Sequence, residues 1–184
     1  MNVANWITLL RFLVAMSAAV LLRDGHELVW VRTSTALFVL AIVLDKVDGM
    51  VARRFDCCSR FGKFFDTALD KIILAVFFLC LTDLNVINRN MVAAALIRDM
   101  LTQSFRSYAD SLGVSTRTDR LSYTRYIVQC AAVVSGLLFI GIKFTAQADL
   151  LRQLSVISFS IGLGLGYWTL FRLVYRHWWQ VVAS

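Results

Sequence analysis

Asp45-Lys46-Val47-Asp48-Gly49-Met50-Val51-Ala52-Arg53, followed after eight residues by Gly62-Lys63-Phe64-Phe65-Asp66-Thr67-Ala68-Leu69-Asp70, is the stretch on which the reading of this chain turns. Its four aspartates stand within segments that are otherwise strongly apolar. An ionised Asp at the centre of a membrane helix costs about 2.5–3.5 kcal/mol on insertion scales, so such acids face a polar cavity, pair with a cation and mark function. At 100° per residue Asp45, Asp48, Gly49 and Ala52 share one helical face, and Asp66 and Asp70 stack one turn apart on the next helix. The intervening connection is short, which predicts antiparallel neighbours. All four carboxylates can then converge on one volume.

Outward from that stretch, the composition places the chain in a membrane. Hydrophobic residues make up 59% of the sequence, the mean hydropathy is +0.68, and 184 residues contain no proline. Soluble domains rarely combine these features. At about 20 apolar residues per span, the pattern predicts helices near 4–22, 28–52, 62–82, 90–110, 122–143 and 151–176. The expected architecture is an all-α integral membrane bundle of six transmembrane helices, a single domain over 1–184. The first segment is not read as a cleavable leader, because it lacks a basic start and Arg11 interrupts its apolar run.

Basic residues orient the bundle. Arg53, Arg54, Arg60, Lys63, Arg106, Arg117, Arg120, Arg125, Arg172 and Arg176 fall on one side, whereas Arg23, Arg32, Arg89, Lys143 and Arg152 fall on the other. The positive-inside rule puts the first side, with both termini and the opening of the aspartate site, in the cytoplasm. A first segment that does not read as a cleavable leader favours a bacterial inner membrane. The net charge of +7 suits contact with anionic membrane lipids. Nucleic acid is excluded as a partner because the basic residues are scattered over several connections and form no groove-sized patch.

Other motifs carry less. Cys57, Cys58, Cys80 and Cys130 make no C-x-x-C pair and are read as structural thiols. His26 and His177 fall near opposite membrane faces, which excludes a shared metal site. Gly162-x-Gly164-x-Gly166 lacks the spacing of a dinucleotide loop and is read as a helix-packing surface. Trp168, Arg172, Arg176, Trp178 and Trp179 form an interfacial anchor.

Carboxylates suit Mg²⁺ or Mn²⁺, hard cations that keep positions for water or substrate phosphate. Four acids suffice for two ions if one or two bridge, and two ions can clamp the attacking and leaving oxygens of an in-line displacement at phosphorus. Gly49 and Gly62 remove side chains where a bulky ligand or a helix comes close, Ala52 keeps its turn small, and Arg53 offers charge-assisted contacts to phosphate. A bare ion site needs none of these, so a nucleotide diphosphate between the helices is favoured over a carboxylate-lined cation transporter. The bland alternative is that the acids are neutralised by Lys46, Lys71 or arginines.

At every defined position the run resembles the signature of the CDP-alcohol phosphatidyltransferase family, membrane enzymes of phospholipid biosynthesis that act on CDP-linked lipids or alcohols and release CMP. Asn5-x-x-Thr8-x-x-Arg11 is similar to the family's N-terminal segment that contacts the CDP-lipid. The resemblance implies that Asp45 and Asp48 ligate a first metal, that Asp66 helps hold both, and that Asp70 ligates the second and acts as general base. It also implies CDP-diacylglycerol binding by Asn5, Thr8, Gly49, Ala52, Arg53, Ser59 and Gly62. A homodimer is expected from the resemblance together with the small-residue sixth helix.

The acceptor has its own clue. Arg98 lies inside an apolar helix and is expected to face the cavity, with Arg106 and Arg125 nearby. Arginines bind phosphate bidentately, which suits an acceptor that itself carries phosphate. This pattern and the short chain most resemble the bacterial phosphatidylglycerophosphate synthases, whose acceptor is sn-glycerol 3-phosphate. Thr67 and Ala4 stand where that subfamily usually has proline, and neither change removes a ligand. Phosphatidylglycerol, an inositol phosphate and serine are the alternative acceptors.

Overall fold

The computed structural model describes residues 3–24, 27–54, 60–114, 120–142 and 148–182, with the side chains of 3–5, 7, 24, 46–54, 60–66, 120 and 180–182 outside the description. The chain forms six helices: α1 (Val3–Asp24), α2 (Leu28–Arg54), α3 (Arg60–Asp83), α4 (Arg89–Ser111), α5 (Arg120–Gly141) and α6 (Ala148–Val182). With no proline to remove a backbone donor, each apolar run continues until a turn signal ends it. At the end of α3, Asn85 takes a left-handed φ of 57°, and Val86 N–H closes back on the Leu81 carbonyl at 2.9 Å. Asn88 then caps α4 by accepting from Asn90 N–H at 2.8 Å. This is a Schellman turn followed by an N-cap, the local chemistry that makes a tight helical hairpin. Gly113, at φ 76°, ends α4 in the same way through Val114 N–H and the Ala109 carbonyl.

The helices close a ring in the order α1, α2, α5, α6, α4, α3, with α3 also packed on α5 across the middle. Small residues let neighbours approach: Ala15, Ala18 and Ala19 of α1 are buried, and Ser34 of α2 donates to the Ala18 carbonyl at 2.7 Å. Ser155 of α6 likewise donates to the Ala132 carbonyl of α5 at 2.8 Å. Such interhelical hydrogen bonds and small-residue contacts replace the hydrophobic effect as the source of helix association in lipid. At Gly136 of α5 an added Cβ would lie 2.9 Å from Leu81 Cδ2 and 3.0 Å from Ser155 Oγ. Leu81 is fully buried and has nowhere to move. Gly136→Ala is therefore expected to lower stability by about 1–3 kcal/mol, read as an earlier thermal unfolding in detergent. An unchanged midpoint would show that this interface yields.

Two sequence expectations are modified. Three helices, over Leu28–Asp45, Leu121–Gly141 and Ala148–Trp179, are long and apolar enough among the described residues to cross a membrane. The other three predicted spans form as helices too, but α4 carries Arg98, Asp99 and Arg106 in its interior, so its apolar character is interrupted. Secondly, among the described residues α2 and α3 make no close backbone approach, although both pack on α1 and on α5. They meet through side chains, the Phe38 and Phe77 rings lying 4.3 Å apart between centroids. A consecutive pair of helices joined by a short connection can splay when a third helix offers small residues to both.

Candidate active site

The polar groups gather where α3 crosses α5. Arg11 of α1 is almost completely buried and reaches two carboxylates from different helices: its Nη1 pairs with Asp45 Oδ1 of α2, and its Nη2 lies 2.9 Å from Asp70 Oδ1 of α3. Thr8, one turn earlier on the same face of α1, is also buried. Among the described residues, the neutralising pairing seen at Asp45 and Asp70 uses Arg11. A pocket of about 10 Å³ beside it is lined by Arg11, Phe38, Asp70, Tyr126, Cys130 and aliphatic side chains of α2 and α3.

On the other side of the α3–α5 contact, a second pocket of about 30 Å³ is lined by Asp70, Lys71, Asp99, Arg125, Tyr126 and Gln129 among others. Here two cations, Lys71 and Arg125, stand with two carboxylates, Asp70 and Asp99. Arg125 Nη1 donates to Asp99 Oδ1 at 3.0 Å, and Lys71 Nζ donates to Gln103 Oε1 at 2.7 Å. Arg106 lies close enough for its charge to act on Lys71, as do Arg98 and Arg125. Asp70 and Tyr126 line both pockets, so Asp70 stands between a largely apolar compartment that holds Arg11 and one that holds Lys71, Asp99 and Arg125.

The predicted site residues are therefore only partly brought together. Asp45 and Asp70 converge, and Arg125 faces Asp70 across the second pocket. Arg98 does not face that pocket: its Nη1 pairs with the neighbouring Asp99 at 2.9 Å and its guanidinium lies against Gly166 of α6. A buried cation takes the nearest carboxylate, here Asp99 on its own helix, and the rest of the guanidinium is accommodated where α6 has no side chain, at Gly166. Asn5, Asp48, Gly49, Ala52, Arg53, Gly62 and Asp66 fall on the helical backbone of α1, α2 and α3, with side-chain placement outside the described residues. Ser59, Cys57 and Cys58 lie outside the described residues altogether. Cys80 and Cys130 are free thiols. The glycine run splits three ways: Gly162 packs on Gln129, Gly166 on Arg98, and Gly164 meets nothing within 4 Å. Trp168, Trp178 and Trp179 are exposed, as an interfacial anchor requires.

The sequence offered Lys71 and the arginines as partners of the acids without singling out Arg11, and it gave no role to Tyr126 or Gln129. Signals existed: Lys71 follows Asp70 directly, and Arg125 and Gln129 recur at i, i+4 on an otherwise apolar helix. Among the described residues no three acids, histidines or cysteines stand together as a metal-holding group. Asp45 and Asp70 nonetheless aim their oxygens at one shared cation, the Arg11 guanidinium, and hard carboxylate oxygens from two helices are the donors that Mg²⁺ or Mn²⁺ takes. The donor set fits such an ion, with Arg11 as the cation that shares it.

A family model described as CDP-alcohol phosphatidyltransferase matches residues 1–168. Among curated proteins, the chain is similar to the CDP-diacylglycerol–glycerol-3-phosphate 3-phosphatidyltransferase of Mycoplasma genitalium, with 23% identity covering 95% of this chain and 76% of that protein. The Rickettsia typhi protein of the same name is 27% identical, covering 77% of this chain and 78% of its own length. That of Sodalis glossinidius is 26% identical over 96% of both chains.

Proposed function

Since the chain belongs to the CDP-alcohol phosphatidyltransferase family, we propose that it transfers the phosphatidyl group of CDP-diacylglycerol to a hydroxyl of sn-glycerol 3-phosphate, giving phosphatidylglycerophosphate and CMP. The observation that carries this reading is Asp70, which shares the Arg11 guanidinium with Asp45 and lines a pocket with Lys71 and Arg125. Similarity to relatives named for glycerol 3-phosphate supports the acceptor. Lys71 and Arg125 in that pocket suit an acceptor with its own phosphate better than serine, which carries none.

In this reading the acceptor phosphate lies toward Lys71 and Arg125, with Arg106 adding charge from farther out. Its free hydroxyl is thereby presented to Asp70. The hydroxyl oxygen attacks the phosphatidyl phosphorus, its proton passes to the Asp70 carboxylate, and the bond from that phosphorus to the oxygen of CMP breaks, the electron pair leaving with CMP. An aspartate is a weak base at its ordinary pKa of about 3.9, so proton transfer must accompany attack rather than precede it. Asp45, Asp48, Asp66 and Asp70 are the residues that would hold two Mg²⁺ or Mn²⁺ ions, which when bound supply charge neutralisation at the diphosphate. Asn5, Thr8, Gly49, Ala52, Arg53, Ser59 and Gly62 hold the CDP-lipid. Arg11 limits repulsion between Asp45 and Asp70.

The active face opens to the cytoplasm of a bacterial inner membrane, by the distribution of basic residues, and the protein works as a homodimer. The test is purified protein in detergent with CDP-diacylglycerol and Mn²⁺, given glycerol 3-phosphate, inositol 1-phosphate, serine or phosphatidylglycerol separately. CMP release is expected with glycerol 3-phosphate. Release with another acceptor and none with glycerol 3-phosphate would overturn the assignment.

A further inference from the structure

The pocket that Asp70 shares with Lys71 and Arg125 is held by a device that reaches it from outside. Arg98 is almost completely buried, yet among the described residues its Nε and Nη2 have no hydrogen-bond partner. Burying donors without partners is unfavourable, so its placement needs another cause. Its Nη1 pairs with Asp99 Oδ1 at 2.9 Å, and the same oxygen accepts from Arg125 Nη1 at 3.0 Å. Asp99 and Arg125 both line the pocket shared with Asp70, whereas Arg98 stands behind them.

The seat for Arg98 is Gly166. A Cβ at that position would lie 2.5 Å from Arg98 Cζ, 2.5 Å from Nη2 and 2.6 Å from Nε. The guanidinium therefore lies flat on the bare backbone of α6. One residue on, the Tyr167 hydroxyl donates to the Ala94 carbonyl of α4 at 3.1 Å, so the two helices are pinned at this level and α4 cannot back away.

We propose that Gly166 is a positioning residue for the acceptor: by seating Arg98 it fixes Asp99, which in turn fixes Arg125 on the pocket wall facing Asp70. The inference rests on the reading of that pocket as the acceptor site. Any side chain at 166 displaces the guanidinium, loosens the Asp99 carboxylate and lets Arg125 swing from the geometry in which it meets the acceptor phosphate. Binding of the CDP-lipid, assigned to α1 and to the α2 and α3 motif, does not depend on this seat.

The test measures steady-state constants for both substrates in Gly166→Ala, Gly164→Ala, Arg98→Gln, Arg125→Gln and the Gly166→Ala/Arg98→Gln double variant. Gly166→Ala is expected to raise KM for glycerol 3-phosphate about 10-fold, with kcat and the KM for CDP-diacylglycerol within about 2-fold. Gly164→Ala, where the added methyl meets open space, is expected to change neither. The double variant should be no worse than the weaker-binding single variant, because both act through one contact. Multiplying effects, an unchanged acceptor KM, or a loss confined to melting temperature in Gly166→Ala would each overturn the proposal. Should Gly166→Ala fail to fold, Arg98→Gln stands in for it, and an unchanged acceptor KM there overturns the proposal equally. Arg125→Gln separates the two failures. If it leaves the acceptor KM unchanged, the reading of the pocket falls; if it raises that KM while Gly166→Ala does not, only the positioning role falls.

Discussion

Asp70→Asn is expected to lower CMP release by about 10³-fold or more, the range in which removal of a positioned general base falls. The substitution is nearly isosteric, and Arg11 keeps Asp45 as a partner. The variant should therefore still elute as folded protein and unfold cooperatively in detergent. The measurement is CMP release at saturating CDP-diacylglycerol and glycerol 3-phosphate with Mn²⁺, beside a thermal melt. Transfer retained above about a tenth of the original rate would remove Asp70 from its proposed role, because no other carboxylate among the described residues lines both pockets.

The second large effect concerns stability. Arg11→Ala leaves Asp45 and Asp70 near one another without their common guanidinium. Removing one partner of a buried ion pair costs about 3–5 kcal/mol, because the other charge is left uncompensated. The two aspartates are 24% and 23% exposed, so water screens part of the repulsion and the low end of that range is expected. The loss should be largest in the presence of a chelator. Millimolar Mn²⁺ should restore most of it, since a dication bound to the folded state replaces the lost charge and stabilises by mass action. Melting curves with chelator and with Mn²⁺, for the original protein and the variant, make the comparison. A variant that gains nothing from Mn²⁺ would show that the two carboxylates do not share a volume a metal can enter.

Much of the site was legible because helical phase is a local property. Asp66 and Asp70 at i, i+4, and Asp45, Asp48, Gly49 and Ala52 at i, i+3, i+4 and i+7, fall on single faces whatever the bundle does around them. The arginines were harder. Arg98, Arg106 and Arg125 were grouped by their shared chemistry, yet only Arg125 of the three lines the pocket with Asp70. Arg98 is drawn to Asp99 and to Gly166, sixty-eight residues away in sequence. Arg11 was read as a residue of the lipid-contacting segment, and the structure makes it the bridge between two motif acids.

By itself the sequence determined six apolar helices, their approximate limits, the family to which the chain belongs and the pairing of acids along each helix. These depend on composition and on a period of about 3.6 residues, which a chain carries before it folds. Only the tertiary structure decided which helices α2 and α3 share as neighbours, which cation holds Asp45 and Asp70, and which arginine lines the pocket. Those are choices among partners of equal chemistry. In a bundle with little water they are settled by how closely helix backbones approach, and so by residues such as Ala18, Gly136 and Gly166 whose small size says nothing of what will lie against them.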